Sequence, residues 1–152
     1  MTTFSRAEME REFEAYQERG RLAGATGDWN AWADQFTEDA VYVEHLFGRF
    51  VGQAAIRQWI TSTMAEFPNN QFVQFPIEWA MFDEDRGWIV CEIQNRLADL
   101  GDGSIFQAAN LTRLVYAGDG RWSYEEDAYN PQAMADVVQA WMRRRRELKA
   151  GS

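Results

Sequence analysis

One stretch of the sequence decides the fold: GDWNAWADQFTEDAVYVE, residues 27–44. Its first half predicts a short helix capped by Asp28, because an Asp side chain can accept hydrogen bonds from the first free N–H groups of a helix. The apolar side chains of this helix recur at three- and four-residue spacing, and they are Trp29, Trp32, Ala33 and Phe36. Residues 40–45 form a short segment with β-branched and aromatic side chains and predict a strand. Period-two alternation puts Tyr42 and Glu44 on one face of that strand and His45 on the other.

Helical patterns lie on both sides of this stretch. Ser5-x-x-Glu8 is a capping box, and the apolar face that follows it predicts a first helix that ends or frays in the glycine-rich segment 20–27. Residues 53–66 return to helical spacing and stop before Pro68. A final helix is predicted to begin at Asn130-Pro131, with Asn as its cap and Pro at its first position.

Between residues 72 and 129 the pattern consists of strands and turns. The strand segments are 72–82, 87–97, 106–116 and 121–129, and the turns between them are short and polar. Such turns between long strands predict an antiparallel meander. The order of elements therefore predicts one α+β domain over residues 1–152. Its N-terminal helices would pack on a strongly curved antiparallel sheet to form a cone with one pocket, and a C-terminal helix would follow.

Composition and charge exclude several classes of protein. Hydrophobic residues make up 46% of the 152-residue chain and aromatic residues 14%, which supplies a core and excludes wholesale disorder. The net charge of −9 would repel a phosphate backbone, so we expect no nucleic-acid partner. The exception is the run Arg143–Arg146, which suits the C-terminal end of a helix, with an anion or membrane contact as the alternative. Cys91 lies in an apolar run without a second cysteine, so we expect it to be buried and reduced.

Localisation and cofactor use follow from what the sequence lacks. The first eight residues have no apolar core of the kind a signal peptide needs, and no stretch approaches the roughly 18 apolar residues of a membrane span. We therefore expect a cytoplasmic protein without a membrane partner. One His and one Cys without ligand spacing predict no metal site, and the chain has no glycine motif for a nucleotide cofactor.

The run over residues 27–44, together with GRFVGQAAI at 48–56, resembles the nuclear transport factor 2-like superfamily, and within it the SnoaL-like branch. The resemblance covers residues 8–129 and matches the order helix, helix, strand, helix, meander. The superfamily includes ketosteroid isomerases, polyketide cyclases, scytalone dehydratases and epoxide hydrolases, but also pockets with no known chemistry, so the fold does not fix the function.

The resemblance implies a cofactor-independent enzyme that acts by acid/base chemistry on a small, hydrophobic, oxygenated molecule. The reaction would be of the isomerase, cyclase, dehydratase or hydrolase type. The alternative is a non-catalytic module of the same fold, which binds a small ligand or dimerises. Because family members commonly pair through the sheet, the resemblance also implies a homodimer.

Candidate catalytic residues follow from matching the family motif. In ketosteroid isomerases the general base stands five residues after the Asp of a "DA" pair, and the count from Asp39 reaches Glu44. A carboxylate in an apolar cavity has a raised pKa, which suits proton transfer, whereas the structural alternative is a glutamate paired with an arginine. The helix-1 tyrosine of that family corresponds to Tyr16. SnoaL-like cyclases carry an acid late in the sheet, where Glu126 and Asp127 are nearest, and we select Glu126. His45 is retained because it neighbours Glu44.

The remaining candidates would bind the substrate. The partner acid of the ketosteroid isomerases falls on Thr112, and this departure argues against steroid-type isomerisation, because a hydroxyl does not replace a protonated acid of raised pKa. Asn110 and Thr112 are uncharged hydrogen-bonding groups suited to a carbonyl or hydroxyl of the substrate. The other candidates for the pocket wall are Tyr42, Trp32, Trp59 and Trp79.

Overall fold

The computed structural model describes residues 4–152; residues 1–3, part of the N-terminal stretch considered above for a signal peptide, lie outside the described residues. The helices are α1 (Arg6–Thr26), α2 (Asn30–Ala33), α3 (Gln53–Thr63) and α4 (Pro131–Ala150), with a 3₁₀ turn at Asn69–Gln71. The strands are β1 (Phe36–Glu44), β2 (Gly48–Val51), β3 (Phe72–Gln74), β4 (Ile77–Asp83), β5 (Trp88–Leu97), β6 (Gln107–Gly118) and β7 (Arg121–Ala128).

Helix α1 is longer than its sequence predicts. The backbone N–H of Glu8 donates to the Ser5 Oγ at 3.1 Å, which confirms the predicted cap. The helix continues through the glycine-rich segment and ends on Gly27, whose φ of 79° is the left-handed conformation of a helix C-cap. A Cβ on Gly24 would lie 2.4 Å from the Val73 carbonyl oxygen, so this glycine lets the helix approach β3 closely. Tertiary packing here overrides the low helix propensity of glycine.

The opening stretch forms one turn of helix followed by a long strand. Asp28 accepts the N–H of Asn30 at 3.0 Å, but the helix begins one residue later than predicted, so Trp29 and not Asp28 is at its N-cap position. The strand begins at Phe36 rather than at Ala40, so α2 has only four residues. The four side chains predicted to be buried are all buried, and they are Trp29, Trp32, Ala33 and Phe36. They belong to a core that α1, α3 and the inner face of the sheet share.

The sheet has the strand order β2-β1-β7-β6-β5, and β3 and β4 pair with successive parts of β5. The predicted antiparallel meander is confirmed from β4 to β7, whereas β1 pairs with β7 in parallel. Register shifts interrupt the pairing of β1, β3, β4 and β7 with their neighbours. Such bulges bend strands and increase their twist, which curves the sheet around the helices. The α+β fold with its curved sheet and C-terminal helix is therefore confirmed.

Helix α4 packs over a second apolar cluster. The Asn130 side chain accepts the N–H of Gln132 at 2.9 Å, and Pro131 follows as the first helical residue, as predicted. Trp141 is buried and its Nε1 donates to the Ala98 carbonyl oxygen at 2.8 Å. Within the arginine run, Arg144 forms an ion pair with Asp102 at 2.8 Å.

Two smaller expectations are also tested by the structure. Cys91 is fully buried, as expected, and burial raises the pKa of its thiol, so it is an inert core residue. Among the helices of residues 4–152, none is long and apolar enough to cross a membrane.

Candidate active site

A cavity of about 200 Å³ lies between the helices and the inner face of the sheet. Residues of α1, α3, α4 and the inner strands line it, and most of its wall is apolar or aromatic. The volume is below the roughly 300–1,000 Å³ of pockets for drug-sized ligands, so the cavity suits a small molecule. The aromatic residues of the wall are Tyr16, Trp29, Trp32, Tyr42, Phe47, Trp59, Phe72, Phe75 and Tyr129.

Glu44, the last residue of β1, lines this cavity and is only 6% exposed. Its Oε1 accepts the backbone N–H of Leu46 at 2.7 Å, and its Oε2 accepts the Tyr129 hydroxyl at 2.9 Å. Burial raises the pKa of Glu44 above its ordinary value, and the two hydrogen bonds oppose that shift. Within residues 4–152, Glu44 has no ion pair with an arginine, so the structural alternative considered from the sequence does not occur there.

Two further carboxyl groups line the cavity from β7. Glu125 and Asp127 are two residues apart and point to the same face of the strand. The Tyr16 hydroxyl donates to Glu125 Oε1 at 2.8 Å. The Tyr42 hydroxyl lies 3.0 Å from the same oxygen and also contacts Asp127 Oδ2. The Thr112 hydroxyl donates to Asp127 Oδ1 at 2.6 Å, so both carboxyl groups are held in place by hydroxyl groups.

The proximity and burial of these two groups determine their ionisation. Burial, and next the charge of Asp127, raise the pKa of Glu125 well above its ordinary value. Burial also raises the pKa of Asp127, against the hydrogen bonds from Thr112 and Tyr42. Like charges in a buried site disfavour each other, so the two groups titrate as a coupled pair, and the pKa of Glu125 is raised the more strongly of the two. No hydroxyl or N–H group of the described residues donates to the Glu125 Oε2, and the Glu125 and Asp127 carboxyl groups also form a hydrogen bond with each other.

The parallel pairing of β1 with β7 brings Glu44 to this pair. In that pairing Tyr42 lies opposite Glu125 and Glu44 lies opposite Asp127. Neighbouring strands are about 4.8 Å apart, so the three carboxyl groups share one side of the cavity. The charge of Asp127 contributes to the raised pKa of Glu44. The arrangement combines a carboxylate that can accept a proton with a carboxylic acid that can donate one.

Of the residues predicted from the sequence, six line the cavity: Tyr16, Trp32, Tyr42, Glu44, Trp59 and Asn110. Thr112 is 1% exposed and lies behind the wall instead. Besides donating to Asp127, its hydroxyl accepts the Asn110 amide at 2.7 Å, and Asn110 in turn accepts the Asn95 amide at 2.6 Å. Thr112 thus positions polar groups of the cavity rather than facing a ligand.

His45 and Glu126 lie together on the outer face of the sheet, away from the cavity. His45 Nε2 is 2.8 Å from Glu126 Oε2, and Glu126 Oε1 accepts the Tyr124 hydroxyl at 2.8 Å. Glu126 was expected to face the pocket, and the structure corrects this expectation. Strand β7 contains one extra residue, since Tyr116 pairs with Trp122 but Val115 pairs with Tyr124. This bulge shifts the alternation by one, so Glu125 and Asp127 point inward in place of Glu126.

Trp79 also lies outside the cavity, where it is 41% exposed on β4. Ile77 pairs with Ile93 but Trp79 pairs with Glu92, so β4 contains one extra residue at this point. The bulge separates two residues that simple alternation would put on one face. Ile77 lines the cavity and Trp79 points outward, which corrects the expectation for this tryptophan.

Sequence reasoning missed Glu125 and Tyr129, and it named Asp127 only as the alternative to Glu126. A signal for the pair exists, because three consecutive acids in a strand always place two of them on one face. The bulge in β7 decides whether Glu126 or the pair Glu125 and Asp127 points inward, and the sequence alone does not reveal the bulge. No group of three or more His, Cys, Asp or Glu side chains within residues 4–152 is arranged to hold a metal ion.

Comparison with known proteins supports the same architecture. The family model of the SnoaL-like domain matches residues 13–128. No curated protein sequence matches the chain significantly. One similar solved structure is a candidate isomerase from Bacillus subtilis, with a TM-score of 0.68 and 16% identity, covering 86% of this chain and 95% of that one.

Two other solved structures have related descriptions. A candidate SnoaL-like polyketide cyclase from Shewanella denitrificans OS-217 has a TM-score of 0.60 and 17% identity, covering 89% of this chain and 99% of that one. An LEH-like epoxide hydrolase of M. tuberculosis has a TM-score of 0.62 and 17% identity, covering 88% of this chain and 91% of that one. At such identities the likeness concerns the fold alone.

Proposed function

The chain belongs to the SnoaL-like domain family, and from that premise we propose that it is an acid/base enzyme for a small, largely hydrophobic, oxygen-bearing substrate. The observation that carries the proposal is the alignment of Glu44 beside Asp127 and Glu125 in one apolar cavity. The reaction would be an isomerisation, cyclisation, dehydration or hydrolysis. The descriptions of similar structures as isomerase, polyketide cyclase and epoxide hydrolase are compatible with this range.

Glu44 is the proposed general base. It would accept a proton from a carbon or from a water molecule, because its raised pKa brings its basicity towards the working pH without requiring a metal or an organic cofactor. The Leu46 N–H and the Tyr129 hydroxyl hold one oxygen each, so the carboxylate is oriented before the substrate arrives.

Glu125 is the proposed general acid. Its proton would pass to a substrate oxygen as negative charge develops there, while Tyr16 and Tyr42 stabilise the carboxylate left behind. In the ketosteroid isomerases the corresponding acid is on the strand where this chain carries Thr112. Here Glu125 of the neighbouring strand β7 would take that role. Asn110 lines the same wall and would orient the substrate oxygen, and Trp32 and Trp59 would contact its apolar part.

A generic proton-transfer probe tests this proposal without knowledge of the substrate. With 5-nitrobenzisoxazole, a base removes the ring C–H proton, the C–H electrons form a nitrile, and the N–O bond breaks to release a coloured phenolate. We expect Glu44→Gln to lower the rate about 10²-fold or more, as for other positioned bases. The matched control is Glu38→Gln, which changes an exposed residue of the same strand and should keep the wild-type rate. An unchanged rate in Glu44→Gln, or no turnover by the wild type, would contradict the proposal and favour a non-catalytic binding module.

We further propose that the protein is a homodimer that pairs through the outer face of the sheet. Trp79 and Leu111 flank Glu92 across β4, β5 and β6, and Met81 beside them is 61% exposed. Exposed apolar patches of this kind are commonly interaction sites. Leu111→Arg should convert a dimer to a monomer in sedimentation velocity at micromolar concentration, and a monomeric wild type would contradict the proposal. A cytoplasmic location stays a prediction.

A further inference from the structure

Exposed apolar side chains lie at the mouth of the cavity. Leu46 and Phe47 belong to the turn between β1 and β2, and both line the cavity although their side chains are 58% and 46% exposed. Side chains that face both the cavity and solvent lie where the two meet. The backbone N–H of Leu46 donates to Glu44 Oε1 at 2.7 Å, so this opening is next to the proposed general base.

Two half-buried methionines line the cavity from the helices. Met64 follows the last residue of α3, and Met134 lies in the first turn of α4. Helix α4 starts close to the same carboxylate, because Tyr129, two residues before it, donates its hydroxyl to Glu44 Oε2. Methionine side chains are flexible and adapt to partners of different shape. The helices therefore add adaptable apolar surface to the wall.

A continuous row of aromatic rings leads from the mouth to the carboxyl groups. The ring centroid of Phe47 is 6.1 Å from that of Trp59, and the Trp59 centroid is 4.8 Å from that of Tyr42. The Tyr42 hydroxyl lies 3.0 Å from Glu125 Oε1. Trp59 also stacks on Phe50 with the centroids 4.6 Å apart, which holds its ring in place. The aromatic row of Phe47, Trp59 and Tyr42 thus joins solvent to the proposed general acid.

The position of these exposed side chains distinguishes them from other exposed apolar residues. Single apolar side chains on a surface are common and need no explanation, and Val51 of β2 is one of them, since it is 59% exposed and does not line the cavity. Leu46 and Phe47 instead continue the wall of the candidate active site. A ligand that extended through the mouth would remove their apolar surface from water, which is favourable in proportion to the area covered.

We infer that the substrate has an oxygen-bearing head and an apolar tail, and that the tail follows the aromatic row out of the cavity and covers Leu46 and Phe47. This deepens the proposed function and rests on it, since the head would lie at Glu44 and Glu125. The mouth and the row favour an alkyl or aromatic tail over a polar one, because polar groups lose free energy when they are buried without hydrogen-bond partners.

Three alcohols of increasing chain length test the inference on the wild-type protein: 1-butanol, 1-hexanol and 1-octanol. Each fully buried methylene group lowers Kd about fourfold. Isothermal titration calorimetry should show Kd falling through the whole series, by at least about fourfold from 1-hexanol to 1-octanol, because the end of the tail is only partly covered at the mouth. Equal affinity for these two alcohols, weaker binding of 1-octanol, or no binding of any of the three would overturn the inference.

Variants of the turn test where the tail lies. Leu46→Ser and Phe47→Ser remove apolar surface at the mouth and keep the backbone N–H that holds Glu44. Each should raise the Kd of 1-octanol about fivefold or more and change that of 1-butanol by less than about twofold. The matched control is Val51→Ser, which changes a similarly exposed residue outside the cavity and should keep both wild-type values. An equal rise for both alcohols, or an unchanged Kd of 1-octanol in both turn variants, would contradict the inference.

Two further comparisons separate the inference from its alternatives. If Leu46 and Phe47 contact a second copy of the chain instead, Phe47→Ser will weaken a dimer in sedimentation velocity and leave the binding of the alcohols unchanged, which overturns the inference. If Kd falls along the series while Glu44→Gln leaves the benzisoxazole rate unchanged, the catalytic proposal alone fails. If that rate depends on Glu44 and 1-octanol binds no more tightly than 1-butanol, the inference about the tail alone fails.

Discussion

Glu44 and Asp127 lie opposite each other in the parallel pairing of β1 with β7, and both face the cavity. Residues in register on neighbouring strands present their side chains to the same face. The same pairing aligns Tyr42 with Glu125, so the hydroxyl that contacts both acids of β7 comes from the strand that carries Glu44. A change at any of these four positions is therefore expected to alter the ionisation of the others.

Replacing Glu125 by Gln should change how stability depends on pH. Burial first, and then Asp127, raise the pKa of Glu125 in the folded protein above its ordinary value of 4.5. The folded state therefore binds this proton more tightly than the unfolded state does. The resulting contribution to the free energy of unfolding is fully present below about pH 4.5, and it is lost as the pH rises through the folded-state pKa. The loss is at most about 1.4 kcal/mol per pH unit for one proton. Urea unfolding between about pH 5 and about pH 8 should show a flatter profile for Glu125→Gln than for the wild type.

The neighbouring residue provides a control of opposite sign. The hydrogen bond from His45 and, to a smaller extent, that from Tyr124 lower the pKa of Glu126 in the folded protein. The contribution of Glu126 to the free energy of unfolding is therefore present above its ordinary pKa and is lost as the pH falls through the folded-state pKa. Glu126→Gln should therefore be less stable than the wild type near neutrality and equal to it in acid. Identical pH profiles for Glu125→Gln and the wild type would show that the pKa of Glu125 is not raised in the folded protein.

Thr112→Val should destabilise the protein through Asp127. The variant keeps the volume of a 1%-exposed side chain but removes the hydroxyl that donates to Asp127 Oδ1 at 2.6 Å. Leaving a buried acceptor without its donor costs about 1–3 kcal/mol, and the loss also raises the pKa of Asp127 further. Urea unfolding at neutral pH measures the cost, and Thr112→Ser, which keeps the hydroxyl, should recover most of it. Wild-type stability in Thr112→Val would contradict this role.

The sequence was sufficient for the fold because its local signals agree with one another. The Ser5 cap, the Asn130-Pro131 helix start and the polar turns between strands are local chemistry, and each is found where it was predicted. The end of α1 could not be predicted in the same way. Glycine has a low intrinsic helix propensity, and only the close approach of the Val73 backbone explains why Gly24 lies within a helix here.

The errors in the candidate site have a common physical cause. The resemblance led us to Glu126 as an acid late in the sheet, and Trp79 was a candidate for the pocket wall; both choices require a particular phase of the side-chain alternation along the strand. One extra residue in β7 and one in β4 shift that alternation, so both side chains point outward. A bulge depends on the pairing with the neighbouring strand and leaves no clear mark in the sequence of its own strand. Glu44 faces the cavity together with Tyr42, as alternation predicted, because no register shift lies between Val41 and Glu44 in the pairing of β1 with β7.

Two glycines of α1 should respond oppositely to alanine. A Cβ at Gly24 would lie 2.4 Å from the Val73 oxygen, a backbone atom that cannot move aside, whereas a Cβ at Gly20 meets no atom within 4 Å. Gly24→Ala should therefore cost about 1–3 kcal/mol or more through overpacking. Gly20→Ala should gain about 0.5–1 kcal/mol, because alanine loses less backbone entropy in a helix. Thermal unfolding of both variants tests the prediction, and a stabilising Gly24→Ala would contradict the close packing of α1 on β3.

Tyr129→Phe should shift the pH dependence of proton abstraction upward. The Tyr129 hydroxyl donates to Glu44 Oε2 at 2.9 Å and so lowers the pKa of Glu44, which burial raises. Without that donor the pKa rises further, because a hydrogen bond to the charged form is lost.

The pH of half-maximal turnover of 5-nitrobenzisoxazole should therefore move up in Tyr129→Phe, because a carboxylate that has lost a hydrogen-bond donor stays protonated up to a higher pH. Stability should fall by about 1 kcal/mol, as for one lost hydrogen bond. Tyr124→Phe removes a hydroxyl from Glu126 on the outer face and should leave the profile in place. If both variants give the wild-type profile, the group that titrates in the reaction is not Glu44, and the base must be sought in the Glu125–Asp127 pair.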